Sequence, residues 1–226
     1  MKCVLANERE LAEAAAAAIL ATGRGALLAR GRFDVLLSGG NTPQKTYEVL
    51  ARTGRAEREL WAATHFYWSD ERCVPPSHPA SNYRLAQTFL LDPLEVPPGQ
   101  VHRIRAELVP SETAAAEYER ICPPRPDLVL LGLGADGHTA SLFPGSPALL
   151  ERERRFLAVR APVSPALRVT ITPAGLASAR RTLLLVSGAG KRAALADVFS
   201  PEGSVERIPA RLVRDADWFV DRAAEG

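Results

Sequence analysis

The chain has 226 residues, with 28 Lys plus Arg against 26 Asp plus Glu and a formal net charge of +2. That length suits one large domain with a sizeable core. A balanced charge with basic residues scattered along the sequence argues against nucleic acid as a partner. The three cysteines, Cys3, Cys73 and Cys122, are isolated and odd in number. Neither a disulfide framework nor a zinc site is expected from them, and a reducing, cytoplasmic setting fits.

In chain order, the alanine-rich stretch Leu11 to Leu20 predicts the first helix. Glu8, Glu10 and Glu13 stand where a signal peptide carries positive charge, and no other run approaches the roughly 20 apolar residues that span a bilayer, so no membrane partner is expected. A strand is predicted at Val35 to Leu37 and a helix at Pro43 to Ala51, where Thr42 can cap and proline suits the first turn. A strand at His65 to Trp68 and helices at Asn82 to Leu90 and Thr113 to Ile121 follow. Then come strands at Leu128 to Leu131, Phe156 to Val159 and Val169 to Ile171, and a helix at Pro173 to Ala179. A strand at Leu183 to Val186, a helix at Lys191 to Phe199 and a last helix around Trp218 complete the chain. Runs such as "LVLL" and "LLLV" are apolar on both alternating faces, as central strands buried from both sides require. The alternation predicts an α/β fold: a mostly parallel, Rossmann-like sheet sandwiched between helices, in a single domain over residues 1–226.

Ligands of such sheets bind beyond the carboxyl ends of the strands, where four polar loops are expected. "SGGNTP" (Ser38 to Pro43) joins a strand to a helix start, where glycines and free N–H groups favour an anion. Gly39, Gly40, Asn41 and Thr42 are therefore candidate phosphate contacts. It is not a P-loop, because Gln44 precedes Lys45-Thr46 where glycine is needed. "SDER" supplies Arg72, a cation suited to bidentate phosphate contact, with Asp70 and Glu71 as its expected organisers. "SGAGK" places Lys191 at a helix start. "GLGADGHTASLFPG" (Gly132 to Gly145) spells G-x-G-x-x-G after a strand, but Pro144, Gly145 and Pro147 forbid the long helix a dinucleotide fingerprint opens. His138 is thereby left on an irregular loop, a candidate general base with Asp136 available to orient its ring. His65, His78 and His102 read as structural. No two histidines have ligand spacing, so no metal is expected.

Together "LSGGNTPQKTY", "WSDERCVPPSHPASNYRLA", "LVLLGLGADGHTASLFPG" and the closing "WFVDRAA" resemble the 6-phosphogluconolactonases of the pentose phosphate pathway. Their wider group includes glucosamine-6-phosphate deaminases, whose aligned acidic residue falls here on Phe143. The resemblance implies His138 as base, Arg72 and Lys191 as phosphate ligands, and the "SGGNT" backbone as part of a sugar-phosphate cradle. The implied reaction is hydrolysis of 6-phospho-D-glucono-1,5-lactone without metal or organic cofactor. Isomerisation or deamination of a sugar phosphate, and a non-catalytic sugar-phosphate sensor, are the alternatives; Phe143 argues against deamination.

Overall fold

In the computed structural model, which describes residues 1–226, the strands are β1 (Lys2–Leu5), β2 (Phe33–Leu37), β3 (Thr64–Trp68), β4 (Asp70–Arg72), β5 (Leu128–Gly132), β6 (Phe156–Arg160), β7 (Leu167–Ile171), β8 (Thr182–Val186) and β9 (Asp217–Asp221). The helices are α1 (Glu8–Arg30), α2 (Asn41–Thr53), α3 (Arg58–Ala62), α4 (Asn82–Ala86), α5 (Ser111–Ile121), α6 (Pro173–Ser178), α7 (Arg192–Phe199) and α8 (Arg222–Glu225).

Six strands form one sheet in the order β1-β9-β8-β5-β2-β3, and every ladder in it is parallel. The chain runs outward from β2 to β3 on one side and from β5 to β8 on the other, so the strand order reverses between β2 and β5. Crevices open at such switch points, beyond the carboxyl ends of the strands. Leu128 to Leu131 of β5 are fully buried, as a strand covered on both faces demands. Truncating one of these leucines to alanine costs about 2–5 kcal/mol in such a core.

The first helix reaches well past Leu20. Asn7 accepts the Glu10 N–H at 3.0 Å while Glu10 accepts the Ala6 N–H at 3.2 Å, which fixes its start, and Gly31 ends it at φ 67°. By length and mean hydropathy (1.4) α1 could cross a membrane, but Leu11, Ala15, Ile19 and Ala26 bury its apolar side in the protein core.

Four expectations need correction. The stretch around Trp218 is not helical: it forms β9, inserted between β1 and β8, and Trp218 is buried there. The short β1 and β4 were not anticipated. The predicted strands at Phe156 and Val169 lie outside the parallel sheet; β6 and β7 form an antiparallel hairpin, with β4 on the far edge of β7. Only Ala161 to Ala166 connects them, far too short for the crossover a parallel pair requires. Finally, Thr42 does not cap α2. The helix starts at Asn41 from Gly40 (φ 106°) with no side-chain cap.

Candidate active site

The loops following β2, β5 and β8 meet β4 and β7 around a cavity of about 620 Å³, whose walls include Gly39 to Thr42, Arg72, His138 and Lys191. The sequence candidates are therefore brought to one place. Because α2 has no side-chain cap, its first N–H groups are left open at this wall. The loop before it is held from beneath by buried Tyr47, whose hydroxyl accepts the Ser38 N–H at 3.0 Å and donates to the Ser38 carbonyl at 2.6 Å.

His138 Nδ1 lies 2.5 Å from Asp136 Oδ1, which also accepts the His138 backbone N–H at 3.2 Å. The carboxylate assigns the ring proton to Nδ1 and leaves Nε2 as the free lone pair. Burial pushes the Asp136 carboxyl up, but the charge His138 carries when protonated and the bonds from its ring and backbone outweigh this and hold it below the ordinary range. The imidazole packs on Phe143, ring centroids 4.5 Å apart.

This geometry explains the glycines of the dinucleotide look-alike. A Cβ on Gly134 would fall 2.0 Å from His138 Nδ1 and 2.5 Å from Asp136 Oδ1, so the pair exists because residue 134 has no side chain. Gly137 turns the loop at φ 82°. Gly39 has a similar reason: a Cβ there would lie 1.8 Å from Asn82 Oδ1.

Asn82 in turn holds Asp70, donating from Nδ2 to its carbonyl at 2.9 Å and to Oδ1 at 3.0 Å, while Ser141 donates to Oδ2 at 2.6 Å. The expectation that Asp70 and Glu71 organise the Arg72 guanidinium fails. Buried Glu71 instead accepts the backbone N–H groups of Arg72, Asn82 and Tyr83 and the Ser81 hydroxyl, and so clamps the start of α4. Burial raises its pKa against the pull of those four donors.

Arg72 donates from Nη1 to the Ala80 carbonyl, and its buried Nε has no partner. Beside it in the cavity wall stands Arg168 of β7, a residue the motifs did not reveal. Only 6% exposed, it donates from Nε to the Pro165 carbonyl at 3.0 Å and lies against Phe143, 5.8 Å from the ring centre. Burial, then the Arg72 charge, lowers the Arg168 pKa, with Asp70 and Glu71 opposing. Two guanidiniums that repel each other, neither ion-paired with a carboxylate, have the chemistry to receive a multiply charged anion. The available signal was an arginine inside the β-branched run "LRVTI"; its meaning depended on β7 lying beside β4.

The other histidines lie outside this cavity. His65 Nδ1 and His102 Nε2 are hydrogen-bonded at 2.9 Å, and His78 Nδ1 accepts the Ala80 N–H at 3.0 Å. No three His, Cys, Asp or Glu side chains gather as a metal-binding group. A larger groove, about 850 Å³, lies behind Phe143, but its only titratable pair is the Glu151–Arg154 ion pair, whose arginine is open to solvent. The convergent polar groups make the smaller cavity the candidate site.

Residues 6–220 match the model of the family described as glucosamine-6-phosphate isomerases/6-phosphogluconolactonase. The chain belongs to this family. The 6-phosphogluconolactonase of Synechocystis is 36% identical over 234 aligned positions, covering 98% of this chain and 95% of the relative. That of Haemophilus influenzae is 34% identical, covering 84% and 85%. Among solved structures, 6-phosphogluconolactonase from Trypanosoma brucei superposes with a TM-score of 0.85 at 27% identity, covering 99% of this chain and 97% of that one. A monomeric glucosamine-6-phosphate deaminase superposes with a TM-score of 0.83 at 20% identity, a likeness of fold alone.

Proposed function

We propose that this family member is a hydrolase of 6-phospho-D-glucono-1,5-lactone, releasing 6-phosphogluconate in the oxidative pentose phosphate pathway with His138 as general base and no metal. One observation carries the reading: the free Nε2 of the Asp136-bound His138 shares a cavity with Arg72, Arg168 and Lys191, none of which is neutralised by an ion pair. Those cations receive the phosphate, and the open N–H groups at Asn41 and Thr42 extend the cradle. The lactone carbonyl then lies toward His138.

His138 Nε2 takes a proton from water as its oxygen bonds to the lactone carbonyl carbon. The tetrahedral intermediate collapses, the bond to the ring oxygen breaks, and the proton held on His138 passes to that oxygen. Asp136 keeps the Nδ1–H in place and stabilises the transient imidazolium. Backbone N–H groups near Gly39 and Gly40 are candidates for the developing oxyanion. A lactone is an activated ester, so a single base and oxyanion support suffice. The three free thiols support a reducing, cytoplasmic location.

The test is lactone hydrolysis corrected for the spontaneous reaction, before and after dialysis against a strong chelator. Acceleration unchanged by the chelator is expected. Tight sugar-phosphate binding without turnover would favour a sensor, and activity lost on chelation and restored by one divalent ion would overturn the metal-free mechanism.

A further inference from the structure

The closing motif Trp218 to Ala224 takes no part in the chemistry just described, yet it contains a carboxylate with an uncommon set of partners. Asp221, at the end of β9, is 3% exposed. Both of its oxygens accept the Gly188 N–H, at 3.0 and 3.1 Å; Oδ2 also accepts the Ser187 hydroxyl at 2.8 Å, and Oδ1 the Ala224 N–H at 2.8 Å. No Lys, Arg or His forms an ion pair with it. Burying a carboxylate without a counter-charge is costly unless its hydrogen bonds are complete. Capping the four-residue α8 would need only the Ala224 bond, which serine or asparagine could supply. The remaining bonds run sideways into the loop after β8.

That loop leads directly to Lys191. Gly188 turns at φ 94°, and its carbonyl accepts the Lys191 N–H at 3.0 Å, so the backbone of Lys191 is set from Gly188. Arg192 adds a second tether through Nε to the Ala223 carbonyl at 2.9 Å. Ser187, Gly188 and Lys191 all line the cavity, and Asp221 lies beneath them.

We propose that Asp221 is a positioning residue for phosphate recognition: it anchors Ser187 and Gly188 and thereby places the Lys191 ammonium in the cavity. This rests on reading Lys191 as a phosphate ligand. Asp221→Asn keeps the shape but turns one of the two oxygens into an N–H donor. In that variant KM for 6-phosphogluconolactone should rise about tenfold, the scale of one hydrogen bond to a charged group, with kcat nearly unchanged. Hydrolysis of unphosphorylated gluconolactone should not change. In a Lys191→Ala background, adding Asp221→Asn should cause no further loss, because the two residues act as one unit.

Independent, multiplying effects of the two substitutions, or equal losses on both lactones, would overturn the proposal. Circular dichroism checks folding. If Asp221→Asn does not fold, Ser187→Ala removes one donor at the edge of the network and should raise KM in the same direction by less; no shift there would overturn it too. Should Lys191→Ala itself leave the phosphate preference intact, the reading of Lys191 fails and Asp221's role falls with it. If Lys191→Ala narrows the preference and Asp221→Asn does not, only the inference about Asp221 fails.

Discussion

The two ends of the parallel sheet carry similar residue types in opposite states. Near the amino ends of the strands, Arg30 and Arg180 lie 2.6 and 3.4 Å from Asp127, which also accepts the Asp34 N–H at 2.9 Å. Arg32 bonds Asp34 at 2.8 Å and the Tyr67 hydroxyl at 2.9 Å, and His65 bonds His102, which stacks on Tyr67. Most of these charges have found partners within the protein. At the carboxyl ends, Arg72, Arg168 and Lys191 form no ion pair and His138 keeps one nitrogen free. Arginines and histidines occur at both ends, so residue type does not distinguish them. What sets the candidate-site end apart is unfinished pairing, which costs stability unless a ligand completes it.

The largest break in this contrast is expected at His138. His138→Ala should lower kcat about 10² to 10⁴-fold, the usual share of a general base, and leave binding of a substrate analogue intact. Retained kcat with a lost phosphate preference would instead make the histidine a phosphate ligand. Gly134→Ala comes next: a methyl group forced into the space of the His138–Asp136 pair should cost about 10²-fold in kcat through misplacement alone. Near wild-type turnover in that variant would mean the pair can relax elsewhere without loss.

Arg168→Ala and Arg72→Ala remove contacts remote from the reacting carbonyl. They should mainly raise KM, by about 10 to 100-fold for a lost charge-assisted contact, and narrow the preference for phosphorylated over unphosphorylated lactone. Equal slowing of both lactones would argue against a phosphate role.

The smallest effect belongs to the amino end. Burial, then the Arg32 charge, lowers the His65 pKa, with Asp34 opposing; burial, then His65 and Arg32, lowers that of His102. A base depressed on folding is neutral in the native protein at a pH where the unfolded chain already holds a proton. Its contribution is therefore present above the unfolded value near 6.5 and is lost as pH falls through the depressed native values. His65→Gln with His102→Gln should flatten that part of the stability profile, measured by denaturant unfolding, and leave lactone turnover unchanged. A steeper acid slope, or lost activity, would tie the two ends of the sheet together.

Much of this was legible locally. The apolar runs at Val35, Leu128 and Leu183 read correctly as central strands because burial on both faces leaves a continuous apolar signature. The loops at Gly39 and Gly188 read as candidate ligand loops because glycine next to a helix start has a local meaning, and both line the cavity, whereas Arg72, expected on a loop, lies on strand β4. Trp218 misled, since "WFV" beside "RAA" is compatible with either a buried strand or a helix when no partner strand is known. Asp70 and Glu71 were assigned to Arg72 by adjacency, whereas their partners come from Ser141 and the start of α4.

By itself the sequence determined the α/β class, the glycine-bearing loops that line the candidate cavity and the pairing of Asp136 with His138, since each follows from local runs and spacings. Only the tertiary structure decided that β6 and β7 leave the parallel sheet, that Arg168 faces Arg72, and that Asp221 supports the loop carrying Lys191. Arg72 and Arg168 are 96 positions apart in the sequence, and Gly188 and Asp221 are 33 apart. Hydrogen bonds and charges act across ångströms of space, and no local periodicity records which distant segments the fold will bring within that range.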